Sequence, residues 1–127
     1  MNLLEQIARH LAFCGLGRAD GDIFWGRMPD QPDDCIGVFS TDGGADEADA
    51  RIQILNRASE PKRAYETACR IARALDGFQG FLAGDGAMAR ITAESTAAGL
   101  GTDVKKRELY AANIRAAYCA EEQEEEA

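Results

Sequence analysis

The stretch from Asp22 to Val38, DIFWGRMPDQPDDCIGV, constrains the fold more than any other part of the chain, holding its only Trp and two of its three Pro. Ile23 to Trp25 is β-branched and aromatic, Pro29 and Pro32 fix φ and bar helix, and Cys35 to Phe39 resumes an apolar run. That pattern predicts two strands joined by an ordered proline loop. The stretch contains no nucleophile paired with a base and no metal-ligand spacing.

Periodicity extends the reading in both directions. Asn2 reads as an N-cap with Glu5 at the third helical position, and Leu4, Ile7, Ala8 and Leu11 recur at helical spacing, so a helix is predicted from about Leu3 to Phe13, stopped by Gly15 and Gly17. Ser40 to Asp49 is polar, acidic and Gly-rich, the composition of a mobile loop. Ala50 to Asn56 alternates, placing Ile52 and Ile54 on one face of a strand and Arg51 and Gln53 on the other. Ser59 and Pro61 open the clearest helix, with Tyr65, Ala68, Cys69, Ala72 and Leu75 expected inward and Lys62, Arg63, Glu66, Arg70 and Arg73 outward; Asp76-Gly77 stops it.

Beyond that helix, Gly84-Asp85-Gly86 reads as a hairpin turn between strands at Phe81–Ala83 and Ala87–Thr92, with Met88 and Arg90 on one face. Ser95 to Thr102 reads as a loop of small residues. Arg107 to Tyr118 reads as a strand, because a period of two gathers Tyr110, Ile114 and Tyr118 on one face where a helix would scatter them. The predicted fold is α+β: two helices packed on one mostly antiparallel or mixed sheet of about five to six strands, in the order αβββαβββ. It forms a single domain over residues 1–119, followed by an acidic, disordered tail at 120–127.

Composition narrows the function classes. At 127 residues and 13.7 kDa the chain fits one domain, burying roughly two-thirds of the surface its unfolded form exposes. The net charge of −8 is partly an end effect, since Glu121, Glu122, Glu124, Glu125 and Glu126 supply five of the 22 acidic groups; without them it is an unremarkable value of about −3. A DNA-coating protein would carry a basic patch, and the only cluster, Lys105-Lys106-Arg107, reads as a solvated turn. Cys14, Cys35, Cys69 and Cys119 are widely spaced, with no C-x-x-C and a single His in the chain, which supports neither a zinc site nor a thioredoxin motif; reduced, mostly buried thiols are expected. No leader-like segment and no apolar run of about 20 residues appears, pointing to a cytosolic product without membrane contact.

The strongest enzymatic reading uses His10, Cys14 and Asp20 or Asp22, since His10 and Cys14 are i and i+4 on one helix. A thiol at a helix end is commonly just packed, and one His is a slender basis for such a mechanism. Gly84-Asp85-Gly86 and Gly99-Leu100-Gly101 lack the following helix and the Lys and Ser/Thr of a phosphate-binding loop, and read as hairpin glycines. No catalytic residue, metal or cofactor is therefore assigned. A small non-catalytic α+β binding or regulatory module, dimeric through its sheet edges, is the main alternative to the reading that follows.

That reading comes from the order of several elements: the Leu3-Leu4-Glu5-Gln6-Ile7-Ala8 helix, the Asp22-Ile23-Phe24 strand, Gly26-x-Met28-Pro29-Asp30 followed by Pro32-Asp33, the next apolar strand, Arg51-Ile52-Gln53-Ile54, the Tyr65-x-x-Ala68 helix and the final strand pair. In this order the chain, from Leu3 to Cys119, resembles the bacteriophage minor capsid or tail-terminator proteins, small products of tailed-phage structural gene clusters. It departs from them in the Ser40–Ala50 loop and the Glu-rich tail. The resemblance implies a virion structural protein, assembled in the bacterial host cytoplasm, from an active phage or a prophage. Such a protein self-associates into a ring, commonly a hexamer, at the head-proximal end of the tail tube, stops tube growth and meets the head-side connector in head-tail joining. DNA passes through the ring without specific binding, and no catalytic residues come with the role. A ring needs two different patches on each protomer. Trp25, Met28, Asp30 and Asp33 in the proline loop, and Asp42 and Asp46 in the acidic loop, are candidate protein–protein contacts, since these loops combine proline rigidity, one large aromatic and uncompensated acids. Trp25 and Met28 could equally close one end of the core. The acidic tail reads as a solubilising end, or more sharply as charge that keeps passing DNA from sticking.

Overall fold

A computed structural model describes residues 2–41 and 49–119. In chain order these form α1 (Leu3–Phe13), β1 (Ile23–Trp25), β2 (Cys35–Ser40), β3 (Asp49–Ala58), α2 (Pro61–Leu75), β4 (Gln79–Phe81), β5 (Met88–Thr102) and β6 (Glu108–Cys119). The order αβββαβββ and the α+β class are those the sequence predicts. One six-stranded sheet runs β1-β2-β3-β6-β5-β4, with β1 parallel to β2 and every other pair antiparallel.

Local chemistry sets the ends of α1. The Asn2 Oδ1 accepts the Glu5 N–H at 2.8 Å, satisfying one of the four donors a helix leaves free at its start. At the other end Gly15 takes φ +87° and the Leu16 N–H reaches back to the Leu11 carbonyl, the left-handed exit that glycine enters without steric penalty.

The core lies between the helices and one face of the sheet. Register sets Ile52 opposite Ile114, Ile54 opposite Val38 and Ala112, and Ile91 opposite Ala116, all buried on one side. Onto them α1 lays Leu3, Ile7 and Leu11, and α2 lays Ile71 and Leu75, each such side chain contributing about 2 kcal/mol on leaving water. The inward stripe of α2 is Ala64, Ala68, Ile71 and Leu75, rotated from the expected one: Tyr65 lies half exposed, edge-on to Tyr110 at 5.9 Å, and Cys69 is half-buried. The cause lies in the sheet. Asn56, fully buried, donates to the Ala64 carbonyl at 3.0 Å and fixes which side of the first turn faces inward.

Other expectations fail for identifiable reasons. The segment expected as a loop at Ser95–Thr102 belongs to β5, which continues through three register shifts opposite β6, at Ala93/Ser95, Ser95/Ala98 and Gly99/Gly101. Bulges accommodate the extra residues, and they erase the alternation by which a strand is read. Gly99 and Gly101 are therefore strand residues and not turn residues, Gly101 with φ +92°. The connection from β4 to β5 is a 3-10 turn at Leu82–Gly84 that buries Leu82, so β4 is Gln79–Phe81 and shares only Phe81 with the strand expected at Phe81–Ala83. Gly86 is required there, since a Cβ would lie 2.7 Å from the Leu82 carbonyl oxygen. Ser40 and Asp49, expected in the acidic loop, lie in β2 and β3, and Asp49 pairs with Arg115 at 2.8 Å. The remainder of that loop, with Asp42 and Asp46, and the acidic tail at 120–127 lie outside the described residues. The thiols are less buried than expected: all are free, with Cys14 and Cys119 exposed and Cys35 buried.

Candidate interaction surface

The proline loop from Gly26 to Asp34 is held by two buried arginines that no short motif announces. Arg57 leaves β3 on the face away from the helices and is only 7% exposed. Its guanidinium donates to the carbonyls of Pro29 (2.7 Å), Pro32 (2.8 Å), Asp33 (3.0 Å) and Asp30 (3.1 Å). The two prolines lack N–H groups and hold the loop out of any ladder, so its inward carbonyls need an external donor, and the planar five-donor guanidinium supplies one.

Arg107, 5% exposed, ties the same loop to the β5–β6 turn. It donates to the Asp30 carbonyl at 2.6 Å and pairs with Asp30 (2.9 Å), Asp33 (3.1 Å) and Asp103 (2.8 Å). Burial would weaken its charge, but the hydrogen bonds it donates to Asp103, Asp30 and Asp33 prevail and hold the guanidinium well above its ordinary range. Lys105 adds a 2.5 Å bond to Asp30, whose carboxyl is held below the usual range first by Lys105 and then by Arg107. Of the Lys105-Lys106-Arg107 cluster, Lys106 is solvated as expected, but Arg107 is buried and Lys105 and Arg107 are both paired, so the acids of the proline loop are not uncompensated. Arg63 pairs closely with Asp34 at the end of the loop.

The candidate contact residues separate accordingly. Asp30 and Asp33 converge on Arg107, and Met28 sits half-buried in the same loop. Trp25 lies on the opposite, helix-facing side, half-buried against the core with the Arg9 guanidinium 5.5 Å from its ring centroid. It closes the core edge, as the plainer reading expects. The sequence signal that could have found the clamp is the pairing of an Arg near the end of an apolar strand with a carbonyl-rich proline loop.

His10 and Cys14 do meet, with Nε2 and Sγ 3.6 Å apart. The Ala83 N–H donates to Nδ1 at 2.8 Å, so the neutral ring carries its own proton on Nε2 and presents a donor to the thiol instead of a base. Burial lowers the His10 pKa and raises that of Cys14, which opposes a thiolate–imidazolium pair. Asp22 accepts the Arg18 N–H and Asp20 pairs with Arg27. Among the described residues no three His, Cys, Asp or Glu side chains converge on a metal position, and no helix is long and apolar enough to cross a membrane.

The same geometry gives a pH dependence. His10 is packed against the Phe78 ring at 4.4 Å and faces Phe13, Cys14 and the Ala83 N–H, and among the described residues no carboxylate pairs with it to favour its charged form. Its folded pKa lies below the unfolded 6.5, so its contribution is fully present above that pH and is lost as pH falls toward the folded value. The melting temperature should decline as pH falls below the unfolded value of 6.5. His10→Gln should flatten that slope in pH-dependent thermal melts.

The fold and this surface define a single-sheet α+β protein whose buried charges serve loop architecture. A family model described as bacteriophage tail terminator protein matches residues 10–119, from α1 to the end of β6. The chain belongs to that family of phage tail structural proteins. No curated protein matches it.

Proposed function

We propose that the chain is a non-catalytic tail terminator that closes into a ring, most simply a hexamer, on the head-proximal end of the tail tube, halts tube growth and offers its other side to the head connector. The observation that carries this reading is the family match across nearly the whole fold. Assembly takes place in the bacterial cytoplasm before the protein enters the virion, and DNA crosses the ring without base-specific contact. All 14 Lys and Arg lie among the described residues, whereas Asp42, Asp46, Glu47 and the five tail glutamates lie outside them, so the described body has no net charge and the acidic segments account for the −8. That distribution supports the acidic segments as a solubilising charge that also repels passing DNA.

The surface carrying Met28, Asp30 and Asp33 is proposed as a contact with a neighbouring subunit or the tube, because the arginine clamp presents it without the entropy cost of ordering a free loop on binding. Asp42 and Asp46 are proposed contacts on their charge alone, and Trp25 as support behind the loop. Negative-stain electron microscopy of the protein mixed with its tail-tube protein tests the function. Tubes of reduced length with added density at one end are expected, and uncapped tubes of unchanged length would return the chain to a neck component or a dimeric binding module. Asp30→Asn with Asp33→Asn should weaken capping while the fold survives; capping at wild-type efficiency would remove the loop from the contact.

A further inference from the structure

Apart from Phe13 at the end of α1, the large apolar side chains left exposed among the described residues fall toward two opposite ends of the sheet. At the β5–β6 turn stand Val104, 98% exposed, and Leu100 at 54%, with Tyr65 beyond them on α2. At the far end of the same strands stand Phe81 and Met88, directly paired across β4 and β5 and 57% and 40% exposed. Beside them a groove of about 250 Å³ is lined by Gln79, Met88, Arg90, Ala117 and Cys119.

The turn is held rigid although its tip is bare. The Asp103 side chain accepts the Lys105 and Arg107 N–H groups, each at 2.9 Å, and Arg107 anchors the whole to the proline loop. Val104 is therefore held out into water by an ordered turn. Apolar side chains so displayed mark contact sites.

The charges beside the two patches are complementary. Lys106, two residues after Val104, and Asp85, in the connection between Phe81 and Met88, are exposed, and their side chains have no hydrogen-bond or ion-pair partner among the described residues, although each backbone N–H is bonded, to the Asp103 and Leu82 carbonyls respectively. The side chains of Arg90, exposed in the groove, and of Glu108, half-buried behind the turn, form a second set without a side-chain partner among the described residues, with the signs crossed. Each end thus offers an apolar centre with one unpaired cation and one unpaired acid.

We infer that the β5–β6 turn of one copy of this chain inserts Val104 into the groove beside Met88 of the next, with Lys106 facing Asp85. The occupant is a second copy because the complementary partner for each end is found on the chain itself. The contact is heterologous, joining two different patches, and such a contact repeats until rotation closes it into a ring. The inference rests on the proposed ring and assigns its interface.

Cross-linking between two variants tests it. In a Cys14→Ser, Cys119→Ser background, one preparation carries Val104→Cys and the other Met88→Cys, each checked for wild-type melting, and a short bismaleimide is added to either alone or to their mixture with tail-tube ends. Cross-linked dimers in the mixture, and in neither preparation alone, are the expected result. Dimers within one preparation, or none at tube ends that wild-type protein demonstrably caps, overturn the interface while leaving the terminator reading intact. Failure of wild-type protein to cap or self-associate overturns both. Asp85→Lys and Lys106→Glu should each lower capping several-fold and restore it together; a combination no better than the single variants also overturns the pairing.

Discussion

Arg57→Met is expected to lower stability by about 3 kcal/mol, the range for removing a buried charged donor from several acceptors. Four loop carbonyls lose their common donor at once, at Pro29, Asp30, Pro32 and Asp33. Methionine fills much of the space but donates nothing, so the loss reflects hydrogen bonding more than packing. Arg57→Lys should recover little, because one ammonium on a flexible stem cannot span carbonyls arranged for a planar fork. A fall in melting temperature of roughly 10 °C, with faster amide exchange confined to residues 26–34, is the outcome to look for by calorimetry and hydrogen exchange. Melting within about 2 °C of wild type would mean that the loop keeps its shape without the clamp.

Ile54→Ala should cost about 4 kcal/mol, toward the upper part of the range for buried Ile truncation. Ile54 is fully buried on β3, flanked by Val38 on β2 and Ala112 on β6. Ala112 has no atoms to move into the vacated space, and the neighbouring strands are fixed by their ladders, so the cavity persists. Against a total stability of 5–15 kcal/mol this is a large fraction, visible as a shift in the urea midpoint with the slope unchanged. Ile91→Val, removing one methylene elsewhere in the core, should cost only about 1 kcal/mol and serves as the scale.

These two residues were unequally visible in the sequence. Ile54 declares itself, because strand alternation puts it with Ile52, and the same local regularity reveals α1, β1, β2 and β6 almost to the residue. Arg57 is silent: its role depends on a loop 24 to 28 positions away and on a face of the sheet that alternation marks as solvent. Arg107 was misread for the same reason, its acidic partners Asp30 and Asp33 lying 77 and 74 positions earlier. The second half of β5 was missed because its bulges break the period, and the rotation of α2 because a buried Asn56, not helix periodicity, selects the inward side. What was legible was local and repetitive; what was not is long-range polar pairing.

The irregularity of β5 has a consequence for the free protein. Past the residues capped by Phe78, Gly77 and the Asp76 side chain, its outer side has no neighbouring strand among the described residues, and apart from Glu94 and Leu100 the stretch carries small uncharged side chains as far as Thr102. A straight edge of that composition would template fibrils. With three bulges, and Ala97 turned to φ +52°, it presents no run of evenly spaced donors and acceptors for an incoming strand to match. The kinks thus act as a safeguard, letting unassembled copies accumulate without seeding a cross-β deposit.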